Sequence, residues 1–256
     1  MKTKPKRKLK QKKIDILMLL YKFRFLNRIQ IQTLLNHKKF NRIIIWLNEL
    51  AKDKYIIREY KRTIDAKPAV YFLGTSGREE LIGKENINQS LLKRVYQEKR
   101  SSLVFRNHCI IIADIYISLV TLAKEYNAKL KFFTKTDLTD IKYLILPHPD
   151  AYFSIEQKEI TKRYFLEVFD EYPSGKWLYK RVQQYFYYYS QNFWQDRNTN
   201  SFPEIIFVYH DPDTKKDLER MIKRRLEDEE NISFSLISWE QIKLNGLRKD
   251  TLYKIE

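Results

Sequence analysis

Two carboxylates are the residues best placed to do chemistry: Asp150 in Pro149-Asp150-Ala151-Tyr152-Phe153, and Glu167 in Tyr164-Phe165-Leu166-Glu167-Val168-Phe169. Both runs alternate in the way strands do. A hairpin turning at Lys158 and Glu159 would pair Ala151 with Leu166 and Phe153 with Tyr164, setting Asp150 opposite Glu167. Period two then sends Ala151, Phe153, Tyr164 and Leu166 to one face and the two acids to the other. Opposed carboxylates repel on a bare sheet. A divalent cation between them would reverse that sign, and hard oxygen ligands favour magnesium or manganese. Plain solvated strand acids remain the alternative. The turn has neither glycine nor Asn-Gly to pin the register.

The elements that must hold this pair can be read from the flanking periodicity. Strands are expected at residues 129–135, 143–147, 150–155, 163–169, 204–209 and 234–237, and long helices at 175–194 and 214–229. An apolar helix from Ser101 to Tyr126 precedes them. This order predicts an α+β or α/β sandwich over residues 102–256. Lys176 and Lys180, one turn apart on the 175–194 helix, are the cations available to the pair. Gln184 and Tyr188 follow on the same helix, within the aromatic run 185–189. His108 and Asp114 are further candidates for the site; six residues apart on a helix, they do not share a face.

Charge is divided unequally along the chain. Residues 1–100 carry 26 Lys and Arg against 9 Asp and Glu, whereas residues 101–256 carry 23 of each, so the whole net charge of +17 lies in the first part. A general lysine bias would have made both parts basic. The division suits a polyanion-binding module joined to a neutral one, with nucleic acid the favoured partner. Residues 1–13 hold eight basic groups and few apolar ones, and are expected to be a disordered arm. A single cysteine, Cys109, excludes a disulfide framework or a cysteine zinc site. Five glycines form no phosphate-cradling loop, which argues against ATP use. The apolar stretch Ile110 to Ala123 is broken by Asp114 and falls short of the ~20 residues that span a bilayer. A soluble, cytoplasmic protein is expected.

Residues 14–83 read as helices at 14–25, 27–35 and 38–54, strands at 55–60 and 69–73, and a closing Leu73-Gly74-Thr75-Ser76-Gly77 turn into a short helix. That order resembles a winged helix-turn-helix. The resemblance implies duplex DNA contact by Lys38, Lys39, Asn41, Arg42 and Ile45 on the third helix, and by Arg58, Lys61, Arg62 and Lys67 on the hairpin wing. Trp46 departs from the pattern, where a smaller residue is commoner. Residues 84–101 are expected to form a helical connector.

Pro-Asp, a hairpin, and a Glu flanked by apolar residues together resemble the PD-(D/E)XK nuclease superfamily. The resemblance implies that Asp150 and Glu167 hold Mg2+ to activate water, with a lysine assisting. The chain departs from it at Phe169, where that lysine is expected; Lys176 or Lys180 would have to supply the ammonium, or the domain has kept the fold and lost the cleavage. With Arg106-Asn107-His108 between the two parts, the whole pattern over about residues 14–195 resembles the replication-relaxation family. Membership implies a DNA protein of bacterial plasmids or integrative elements acting in replication or mobilisation, with a relaxase or replication initiator as further partner. The competing expectation is a winged-helix transcription regulator whose second domain forms a homodimer or docks partners.

Overall fold

The computed structural model describes residues 9–60, 68–169, 172–195, 201–227 and 231–255. The chain is α+β and divides into two compact units, Met1–Ala113 and Asp114–Glu256.

The first unit runs α1 (Gln11–Phe23), β1 (Leu26–Asn27), α2 (Arg28–Leu34), α3 (Phe40–Lys52), β2 (Ile56–Glu59), β3 (Val70–Leu73), α4 (Thr75–Leu81) and α5 (Gln89–Gln97), and enters α6 (Leu103–Glu125). Asn27 caps α2 in a reciprocal box with Gln30, at 2.9 Å in each direction. Helix α1 buries Ile16, Leu17 and Leu20 and α3 buries Ile43, Leu47 and Leu50, each set at helical spacing. Strand β3 lies between β1 and β2, antiparallel to both, with Ile56 opposite Leu73 and Leu26 opposite Tyr71. The short β1 has no counterpart in the sequence pattern, since two residues carry no period. Residues 84–101 contain α5, whose Leu91, Leu92 and Val95 are buried.

The two glycines of the Leu-Gly-Thr-Ser-Gly turn have a packing reason. A Cβ on Gly74 would sit 2.3 Å from the Lys54 carbonyl oxygen, and one on Gly77 would sit 2.0 Å from that of Tyr55. Both obstacles are backbone and cannot swing aside. Gly77→Ala is therefore expected to destabilise the first unit by about 3 kcal/mol or more, the upper range for forced overpacking. Urea unfolding of the full chain would register this as a loss of midpoint in the transition of that unit.

The second unit contains the rest of α6, then β4 (Lys129–Thr134), α7 (Lys135–Leu138), β5 (Ala151–Gln157), β6 (Ile160–Val168), α8 (Gly175–Ser190), β7 (Glu204–Tyr209), α9 (Pro212–Leu226), β8 (Phe234–Ser238), α10 (Trp239–Asn245) and β9 (Tyr253–Ile255). These strands form one sheet in the order β4-β5-β6-β7-β8-β9. The first three are antiparallel neighbours. Strands β6, β7 and β8 are parallel, joined by the crossover helices α8 and α9. On one face, Phe132, Phe153 and Tyr164 stack across three strands with centroids 6.0 and 4.8 Å apart, and Tyr116 of α6 lies 4.9 Å from Phe132. On the other, Phe165, Phe207 and Phe234 meet Tyr185 and Phe186 of α8 and Leu218 and Ile222 of α9 in the main core.

Two expectations are corrected here. Residues 143–147 are not a strand: the backbone turns, with the Leu144 N–H donating to the Ile141 carbonyl, and Leu144 and Ile145 bury side by side where a strand would alternate. The closing strand β9 was not anticipated, being three residues long and polar at two of them. Helix α6, at 23 residues, is long and apolar enough to cross a membrane, the one such helix among the described residues. It also supplies core residues, including Ile112 and Ala113 in the first unit and Ile115 and Leu119 in the second.

Candidate functional site

The hairpin register is the one that alternation predicts. Ala151 faces Leu166 and Phe153 faces Tyr164. Lys158 and Glu159 make the turn with φ of 49° and 65°. Two left-handed central residues are what a tight hairpin turn matching strand twist requires, so the turn forms here without the glycine that usually eases it. Asp150 stands just before β5. Its N–H donates to the Leu166 carbonyl at 3.0 Å, and its own carbonyl accepts the Lys135 N–H at 3.1 Å. Its side chain and that of Glu167 come to the same region of one face, and both are buried.

What surrounds the pair decides its chemistry. The Val168 N–H donates to Asp150 Oδ2 at 2.9 Å, and Lys135 Nζ lies 3.7 Å from Oδ1. Glu167 Oε1 accepts from Arg181 Nη2 in a close ion pair and from the Tyr185 hydroxyl at 2.6 Å. Arg181, only 3% exposed, also donates through Nη1 to the Pro147 carbonyl at 2.8 Å and to Gln184 Oε1 at 3.1 Å. Burial pushes the Glu167 carboxyl above its ordinary value; Arg181 opposes that rise, and Asp150 adds to it. Burial and then the neighbouring Glu167 hold the Tyr185 hydroxyl well above the usual phenol range, so it remains a donor. Although burial works against its charge, the Glu167 carboxylate keeps Arg181 protonated beyond the ordinary guanidinium range.

The countercharge that the opposed acids require is thus a guanidinium supplied by α8. Lys176 and Lys180 are exposed, outside the buried stripe of Leu178, Arg181, Val182 and Tyr185. Spacing of the lysines does not point to Arg181, but the sequence carries a signal for it: a single charge at 181 interrupts the otherwise apolar helical stripe of Leu178, Val182 and Tyr185. As placed, the residues do not fit Mg2+. Each carboxylate is already held by protein donors, a fixed cation occupies the Glu167 side, and the described residues hold no cluster of three or more His, Cys, Asp or Glu able to complete a coordination shell.

In the first unit, Lys38, Lys39, Asn41, Arg42 and Ile45 are all exposed, but α3 starts at Phe40 and not at residue 38: Lys38 and Lys39 lie in the loop before it, and Asn41, Arg42 and Ile45 lie on its side away from the buried Ile43, Leu47 and Leu50. Trp46 packs edge-on against His37 at 5.0 Å, and His37 Nδ1 accepts the Lys39 N–H at 3.2 Å. The indole therefore braces the loop that bears the two lysines. Arg58 is exposed on β2; Lys61, Arg62 and Lys67 lie outside the described residues. Of the Arg106-Asn107-His108 run, Arg106 pairs with Glu59 of β2, donates to the Lys99 carbonyl at 2.8 Å, and lies 5.4 Å above the rings of Phe25 and Phe72.

No curated protein matches the chain. Among solved structures, restriction endonuclease FokI aligns at 13% identity over 94% of this chain and 45% of that one, with a TM-score of 0.34. FokI bound to DNA aligns at 14% identity over 93% and 45%, with a TM-score of 0.28. The chain spans less than half of those structures, and likeness at this level bears on neither the site nor the activity. Residues 17–205 match the replication-relaxation family, about three-quarters of the sequence. The chain belongs to the replication-relaxation family.

Proposed function

We propose that this chain is a cytoplasmic DNA-binding protein of a bacterial plasmid or integrative element, acting in replication or mobilisation. The first unit is read as a winged helix that grips duplex DNA mainly through phosphates. The second is read as a PD-(D/E)XK-like domain whose acidic pair serves architecture in place of cleavage. One observation carries the DNA reading. The loop before α3 and the first turn of that helix present Lys38, Lys39, Asn41 and Arg42 together, in the part of the chain, residues 1–100, that holds the entire net charge. Such a helix, with its apolar side anchored and its polar side cationic, has the chemistry of a major-groove element. The loss of cleavage is supported by Arg181, whose guanidinium stands where a nuclease of this type would need a metal.

Equilibrium binding of a labelled duplex across a salt series tests the reading. Affinity should fall linearly on a log–log plot, with a slope of about −0.9 for each phosphate neutralised. Four or more contacts are expected from the residues named. Salt-independent binding, or none, would leave the second unit as the only basis for a function.

A further inference from the structure

We infer that the open face of β4, β5 and β6 is a binding platform for single-stranded nucleic acid. Helix α8 covers β6 from Phe165 onward, where Tyr185 and Arg181 bury Phe165 and Glu167, so the open part is β4, β5 and the Thr161–Arg163 end of β6. At the β4 end it is an open groove of about 290 Å³ whose lining includes Lys129, Lys131, Phe133, Tyr152 and Arg163. Strand alternation places Lys129, Lys131 and Phe133 in one row, with successive members about 6.6 Å apart, a step that an extended sugar–phosphate chain can follow. The row leads to Lys135, whose ammonium lies 3.7 Å from Asp150.

Three features together favour a polynucleotide. Lys129 is paired with Glu156 at 3.1 Å, but Lys131 and Arg163 have no acid partner among the described residues, so the groove keeps a positive excess. Phe133 stacks on Tyr152 at 5.9 Å while remaining 37% exposed, which leaves ring surface for an unpaired base. Cationic grooves with aromatic platforms are how proteins hold single strands without reading sequence. Lysines on an edge strand also deter sheet-to-sheet pairing. That purpose explains neither Arg163, on the third strand in, nor the exposed Phe133 ring backed by a half-buried Tyr152.

The test titrates the full chain with a labelled oligo-dT of about 16 nucleotides, within the site sizes known for such platforms. Lys131→Ala with Arg163→Ala, and separately Phe133→Ala, should each weaken binding about tenfold. Duplex affinity, which rests on the first unit, should stay unchanged; an equal loss of duplex binding in these variants would overturn the inference, because the groove would then be a general cationic surface with no preference for single strands. Polyglutamate of equal charge should compete poorly, because it has no bases to stack. Both variants binding oligo-dT like the unaltered protein would overturn the inference, as would equal competition by polyglutamate, which would mark a site for acidic peptides. Photocrosslinks from a 4-thiothymidine strand should fall within residues 129–165; crosslinks confined to the first unit would equally overturn it.

Discussion

Arg181→Met will destabilise the second unit by about 3–5 kcal/mol at neutral pH, the usual consequence of removing one partner of a buried ion pair. The methionine nearly preserves the volume, so the effect isolates the charge. Burial already lifts the Glu167 carboxyl, and the guanidinium is the main force pulling it back. Without it, the folded variant holds the Glu167 proton to a higher pH than the unfolded chain does. The folded state then binds more protons, and stability declines as pH rises above the ordinary glutamate value of about 4.3. The deficit should therefore be smallest in acid and grow toward neutrality. Arg181→Met combined with Glu167→Leu should recover most of the loss, since neither charge is then stranded, giving a coupling of about 2 kcal/mol or more. Urea unfolding at several pH values measures all of this. A single variant within about 1 kcal/mol of the unaltered protein would show that the pair is not closed as described.

The second large effect lies in the first unit. Reversing three charges, Lys38→Glu with Lys39→Glu and Arg42→Glu, should lower duplex affinity about a hundredfold near physiological salt and reduce the salt slope by about three. All three side chains are exposed, so thermal stability should hardly change. Fluorescence anisotropy across a salt series reads affinity and slope together. Unchanged binding would remove α3 from the interface and leave Arg58 and the residues 61–67 to account for the charge.

Much of this architecture could be read from residue order because it rests on short-range rules. The pairing of 151 with 166 follows from period-two alternation on both strands, and the burial of Ile43, Leu47 and Leu50 follows from helical period. The hairpin turn was harder, because Lys158 and Glu159 adopt left-handed backbone that neither residue favours; the flanking strands impose it. Residues 143–147 misled because a short apolar run is compatible with a strand or with a buried turn.

The spacing of Lys176 and Lys180 puts them one turn apart on α8 but says nothing about which side of the helix faces the sheet. The 178-181-182-185 stripe does say so, and it selects Arg181. The reciprocal fit of Arg181, Tyr185 and Glu167 was beyond reach, since it depends on where α8 crosses β6. The division of charge was legible throughout and needed no fold at all.

A guanidinium, not a metal, balances the opposed acids, and thermal unfolding of the full chain with and without magnesium distinguishes the two. The melting temperature should be the same in millimolar Mg2+ as in chelator, and supercoiled DNA should remain intact after incubation. A ligand that binds the folded site must raise the transition. A magnesium-dependent rise that vanishes in Asp150→Ala, accompanied by nicking, would instead place a metal between the acids and return the pair to catalysis.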